Sequence, residues 1–227
     1  MNRTRVSRPI PIALTALVAF LSATGALAVS NGAAMGHTND MHHHAISSSK
    51  AVALRLDMRK LWEDHITWTR MAIISLEGGT PDTQATVGRL LKNQTDIGNA
   101  IKPFYGKAAG NAVTKLLREH ILIAADVIAA AKAGNKVQLT DAQNRWTANG
   151  DQIAAALHGV NPRHWKLGAM KAEMHRHLTL TTNEAVARLQ GNWDADVAAY
   201  DAVHRHILHM ADMLSSGIVK QFPARFR

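Results

Sequence analysis

Between Ser49 and Pro223 the apolar residues recur at alternating three- and four-residue steps, the signature of one buried face of an α-helix. Leu54, Met58, Leu61, His65, Thr69, Ala72 and Leu76 form the first stripe, with Trp62 and Trp68 on its flanks. Glu77–Asp82 interrupts it, with glycines to end a helix and Pro81 to open the next. A second stripe through Val87, Leu90, Gln94, Ile97 and Ile101 breaks near Lys102–Gly106. The third runs through Val113, Leu117, His120, Val127 and Ala131 to a stop at Ala133–Asn135. A fourth, opened by Thr140–Asp141, carries Trp146, Ile153 and Leu157, and Gly159–Pro162 ends it. The fifth spans about Trp165 to Gln190, and the sixth, opened by Asp194, carries Tyr200, Val203, Ile207, Met210, Leu214 and Ile218. The pattern predicts an all-α fold: a six-helix bundle made of three tandem antiparallel hairpins, since short connections favour antiparallel neighbours.

The three hairpins read as copies of one unit. His65, His120 and His177 stand at the same place in successive first helices, 55 and 57 residues apart. Asn93, Asn149 and His206 follow those histidines by 28, 29 and 29 residues, on the second helices. Each is followed four residues on by an apolar position: Ile97, Ile153 and Met210. Such a recurrence implies that every hairpin buries its stripe against its neighbours.

Leu61–His65 with Trp68–Arg70, then Pro103–Gly106, Asn149 and Gln221–Pro223, resemble a family of uncharacterised small all-helical bacterial proteins. The resemblance covers most of residues 54–223 and implies a helical fold. Some members of that family carry the label acetylglutamate kinase. This chain has neither the alternating strand–helix pattern nor the glycine-rich phosphate loop that such chemistry needs.

The third copy departs from the other two. At 100° per residue, Glu173, His177, Thr181, Glu184 and Arg188 form a column on the fifth helix. The matching columns, Leu61–Leu76 and Leu116–Ala131, are mostly apolar apart from their histidine. Buried carboxylates need a partner or a metal, so the column is either a site or a solvated outer face with ion pairs. On the sixth helix His206 sits at the edge of the apolar stripe, with His204 and His209 near it. Imidazole–carboxylate sets on facing helices suit zinc, iron or manganese, and histidine with methionine suits copper. The candidate metal ligands are therefore Glu173, His177, Glu184, His206, His65, His120, His204 and His209. For His65 and His120 the competing reading is a hydrogen-bonded core histidine.

The N-terminus is different in kind. Arg3, Arg5 and Arg8, an apolar run over Ile10–Leu21 and the small-x-small Ala26–Ala28 form a signal-peptide pattern, so export to the periplasm or beyond with cleavage near Ala28 is expected. Residues 29–49 are aperiodic and rich in histidine and methionine. His37, His42, His43 and His44 there would serve as a low-affinity metal collector. Residues 50–223 form the bundle domain, and 224–227 a basic tail. Loss of the leader, which holds three of the 26 Lys and Arg and no acid, leaves 199 residues and a net charge of +6 against 17 acidic groups. The basic residues are dispersed, which argues against nucleic acid and is compatible with contact to a membrane surface or cell wall.

Cysteine is absent, which removes thiolate metal sites and thiol catalysis. No serine lies in a nucleophile-elbow context. The sequence therefore favours an exported bundle that binds a transition-metal ion, with a non-catalytic interaction or structural protein of the cell envelope as the alternative. A metal-dependent enzyme on the same ligands is the third reading.

Overall fold

The computed structural model describes residues 48–227, and these are almost entirely helical, with no strand among them. Five helices follow in order: α1 Ser49–Gly78, α2 Thr83–Lys132, α3 Lys136–Val160, α4 Leu167–Leu189 and α5 Trp193–Gln221. A short 3-10 turn, Pro223–Phe226, closes the chain. None of these helices is long and apolar enough to cross a membrane. The leader at 1–28 and the His/Met tract with His37, His42, His43 and His44 lie outside the described residues.

Local chemistry sets the ends. Ser48 caps α1 by accepting from the Ala51 N–H, and Gly79 leaves it in the left-handed region at φ 62°. That conformation costs glycine nothing and lets its N–H satisfy Ser75 O. Asn192 caps α5, with Asp194 and Asp196 in its first turn complementing the helix dipole. One boundary differs from expectation. The α3 helix begins at Lys136, a turn ahead of Thr140–Asp141, because the Asn135 side chain accepts from the Gln138 N–H and so supplies the cap.

The second and third predicted helices form one 50-residue element whose backbone leaves helical geometry at Gly106 (φ 85°, ψ 169°). Its two arms lie side by side. Arg118 donates to Leu91 O at 3.0 Å across 27 residues of chain. Gly98 packs so closely on the other arm that a Cβ there would stand 2.6 Å from Gly110 O. A positive φ with nothing close by is what glycine tolerates at such a reversal.

Around the bundle, α1 packs on α2 and α5, α2 on α3, α3 on α4, and α4 on α5. The helices thus form a closed circuit. Inside it lie Met58, Ile66, Ile97, Ile153, Met170, Ile207, Met210 and Ile218, all buried. Each such side chain contributes about 1.5–3 kcal/mol. Trp62, Trp146 and Trp165 are buried packing anchors, whereas Trp193 is exposed. Met170, Met174 and Met210 fill the interior and Met213 packs at its margin.

Candidate functional site

His65 from α1, His120 from the second arm of α2 and His177 from α4 meet in the interior. The His177 ring centroid lies 5.8 Å from that of His65 and 5.9 Å from that of His120. His206 of α5 stacks on the remaining side of His177 at 6.2 Å. All four are buried. Trp62 stands edge-on to His65, and Trp146 lies 5.2 Å from His120, so indole walls back both imidazoles.

One hydrogen bond recurs three times. The Asn93 amide donates to Leu61 O at 3.0 Å, the Asn149 amide to Leu116 O at 3.1 Å, and His206 Nε2–H to Glu173 O at 3.1 Å. Each acceptor is the carbonyl four residues before a central histidine. The matched positions seen in the sequence are therefore matched contacts.

The rings are held differently. His120 Nδ1–H donates to Asn149 Oδ1 at 2.9 Å, which leaves Nε2 as the lone-pair nitrogen, buried and without a partner. Gln94 Nε2 lies 3.2 Å from His65 Nδ1 and also donates to Leu90 O. His177 Nδ1 has no partner at all. A buried polar atom without a hydrogen bond is uncommon and calls for a reason; besides these two nitrogens, Gln94 Oε1 and the Trp62 and Trp146 indole N–H groups beside the same rings are bare. Burial pushes the His65 imidazole down to about 3, assisted by neighbouring His120 and opposed by Gln94. His120 falls to about 4 for the same first reason. His177 is held well below its ordinary value by burial, then by His65, His120 and His206. All three are neutral at pH 7; His120 Nε2 and His177 Nδ1 are bare, whereas His65 Nδ1 faces the Gln94 amide as its acceptor.

The middle of the Glu173–Arg188 column faces inward, so the solvated-face reading fails for His177, Thr181 and Glu184, while Glu173 and Arg188 at its ends are half-buried. Thr181 is buried, its hydroxyl donating to His177 O, and the Glu184 side chain is fully enclosed. Glu184 is engaged elsewhere than at the histidines: Arg70 of α1 donates to its Oε1 at 2.9 Å. Arg70 also takes Asp196 in a two-nitrogen grip, and Arg188 reaches Asp196 at 3.1 Å and Glu77 at 4.0 Å. Asp196, holding two guanidiniums, is kept below the usual carboxylate range despite burial. Burial pushes Glu184 and Glu77 up to about 7, because the arginines they share are directed mainly at Asp196.

Of the remaining candidates, His204 Nε2–H donates to Glu63 Oε1 at 2.6 Å, on the α1–α5 seam. The Glu173 carboxylate lies between His206 (Nδ1 to Oε2, 3.6 Å) and His209 (Nε2 to Oε1, 4.0 Å). Gln94, Asn149 and Arg70 are the hydrogen-bond partners of His65, His120 and Glu184 that sequence reasoning did not assign; only the repeat position of Asn149 pointed toward one of them.

Two imidazoles on one tetrahedral ion at a bond length of about 2 Å have ring centroids about 5 Å apart. The two spacings to His177, 5.8 and 5.9 Å, exceed this by somewhat under an ångström. Among the described residues, no three His, Asp or Glu side chains converge tightly enough in this conformation to hold one ion. Imidazole is a metal-binding group, but one ion shared by all three rings would require them to move inward from the positions they hold.

No family model, curated protein or solved structure matches this chain. The resemblance to the all-helical bacterial family rests on the quoted residues alone.

Proposed function

We propose that this chain is an exported bundle of three repeated hairpins that holds one transition-metal ion among His65, His120 and His177. The observation that carries the reading is the pair of buried, unpartnered ring nitrogens, His120 Nε2 and His177 Nδ1, at the meeting point of three helices. Asn149 fixes the His120 tautomer in the manner of an outer-shell partner to a metal-bound histidine, where the ring N–H opposite the metal is held by a carbonyl. Neutral imidazoles pay no proton cost on loading. Three nitrogen donors without thiolate suit zinc or copper better than manganese. Glu184 is not needed as a ligand in this reading, and the His/Met tract serves as collector.

The test is elemental analysis of the full chain with His37, His42, His43 and His44 changed to alanine, purified without chelator and reloaded with Zn²⁺. One ion per chain, lost in His177→Ala, is the expected result. A metal-free protein after reloading overturns the proposal.

A purely architectural role is favoured by a different observation. His65 and His120 already have hydrogen-bond partners, and the ring spacings are wider than ligation requires. On that reading the protein is an interaction or structural element of the envelope, and His177→Ala alters stability with no metal to lose.

A further inference from the structure

The third copy of the repeat differs from the others where it matters for access. Positions Leu61 and Leu116 are hydrocarbon in the first two copies, and Asn93 and Asn149 are their partners. In the third copy these positions are Glu173 and His206, and His209 stands three residues further along α5. The substitution replaces an apolar plug with donors. Exposure falls steadily along them: the side chain of His209 is 65 % exposed, Glu173 22 % and His206 2 %.

The distances make a sequence of neighbours. His209 Nε2 is 4.0 Å from Glu173 Oε1, Glu173 Oε2 is 3.6 Å from His206 Nδ1, and the His206 ring lies 6.2 Å from His177. Glu173 Oε2 is buried with no hydrogen-bond partner, on the His206 side of the carboxylate. His206 Nε2 is tied to Glu173 O, so its Nδ1 edge is the one presented to that oxygen. Elsewhere around the histidines the surroundings are the Trp62 and Trp146 indoles, aliphatic side chains and the Gln94 and Asn149 amides, with no carboxylate bonded to a ring.

We propose that His209, Glu173 and His206 form the loading station of the bundle, where a borderline divalent cation such as Zn²⁺ or Co²⁺ is captured from solvent and passed to His177. This rests on the metal-binding reading of the central histidines. Capture begins at the exposed imidazole, the carboxylate neutralises part of the ion's charge as water is shed, and His206 presents it to the interior. Each transfer exchanges one protein ligand for another without any change in oxidation state. Since the same station serves both directions, its loss slows uptake and release by the same factor and leaves affinity unchanged.

The probe is Co²⁺, followed by its visible absorption on rapid mixing with the full chain carrying alanine at His37, His42, His43 and His44. In Glu173→Gln and in His209→Ala, uptake and release to excess chelator are both expected to slow by roughly tenfold, the scale of a lost electrostatic guide, with the same final spectrum. His209 is exposed, so its alanine variant keeps the fold even if Glu173→Gln does not. Unchanged rates in both variants overturn the station while leaving the central site standing. Loss of the final spectrum in His209→Ala also overturns it, by placing the ion at the surface. No Co²⁺ spectrum in the parent chain overturns the metal-binding reading itself, and the station with it.

Discussion

The Asn149 side chain is bonded at both ends: its Oδ1 accepts from His120 Nδ1 at 2.9 Å, and its amide donates to Leu116 O at 3.1 Å. The second bond settles which way the amide points, and that settles the tautomer of His120. Asn149→Ala leaves a ring N–H and a carbonyl unsatisfied in the core. The expected cost is about 2 kcal/mol in urea unfolding. If the central histidines hold an ion, its affinity should fall by roughly 10–100-fold in parallel, measured by competition with a chelator.

Acid should destabilise the fold in a defined window. Unfolded histidine titrates near 6.5, whereas folded His65 and His120 titrate at about 3 and about 4, and His177 is also depressed. Between these limits the unfolded chain binds protons that the folded chain does not, so stability is present above pH 6.5 and lost as pH falls. Glu77 and Glu184 act oppositely: raised to about 7, they bind protons in the folded state first, and so gain stability on acidification from 7 toward 4.5. Those three histidines, joined by His206, which burial also lowers, outweigh the two carboxyls, so the fold loses stability from pH 6 to pH 5. Glu184→Gln removes one opposing group and should steepen that loss by about 1 kcal/mol per pH unit in urea melts.

Arg70 is the counterion of an enclosed carboxylate. Arg70→Met leaves Glu184 uncompensated and Asp196 with Arg188 alone, at an expected cost of about 3–5 kcal/mol at pH 8. The penalty should shrink near pH 5.5, where Glu184 takes up a proton, and a double-mutant cycle with Glu184→Gln should show strong coupling. Equal penalties at both pH values would contradict the charge argument.

Two glycines of α2 should respond in opposite directions. Gly88 is exposed in mid-helix with nothing near its missing Cβ, so Gly88→Ala should stabilise by about 0.5–1 kcal/mol. Gly98→Ala would press on Gly110 O and Thr114, and should cost at least about 1–3 kcal/mol because the neighbour is backbone. Thermal unfolding of the pair measures how tightly the two arms are apposed.

The helices were legible because their apolar stripes are long and their stops carry glycine, proline or asparagine. The equivalence of His65, His120 and His177 was legible from spacing, as was that of Asn93, Asn149 and His206. That His65 and His120 both pack against His177 was not, since spacing fixes a face and leaves the angle between helices open. The role of Glu184 was hidden for a different reason. Its partner Arg70 lies 114 residues earlier in the chain, and nothing in the local pattern of α1 distinguishes it from a surface arginine. The start of α3 was misplaced because Thr140–Asp141 looks like a cap, while Asn135, already assigned to ending the previous helix, serves both.

The closed circuit of helices has no privileged beginning. α1 and α5 pack along each other, and Lys50 Nζ donates to Arg227 O at 3.1 Å, so the first and last turns of the bundle are neighbours. Gly106, exposed and free of close contacts, is a natural place to open the chain instead. A circular permutant of residues 48–227 that starts at Lys107, with Arg227 joined to Ser48 by a short linker, would keep every helix–helix pairing and return the same fold from a rearranged gene. For this protein, the order of the helices around the axis defines the architecture, and the order in which they are synthesised is incidental.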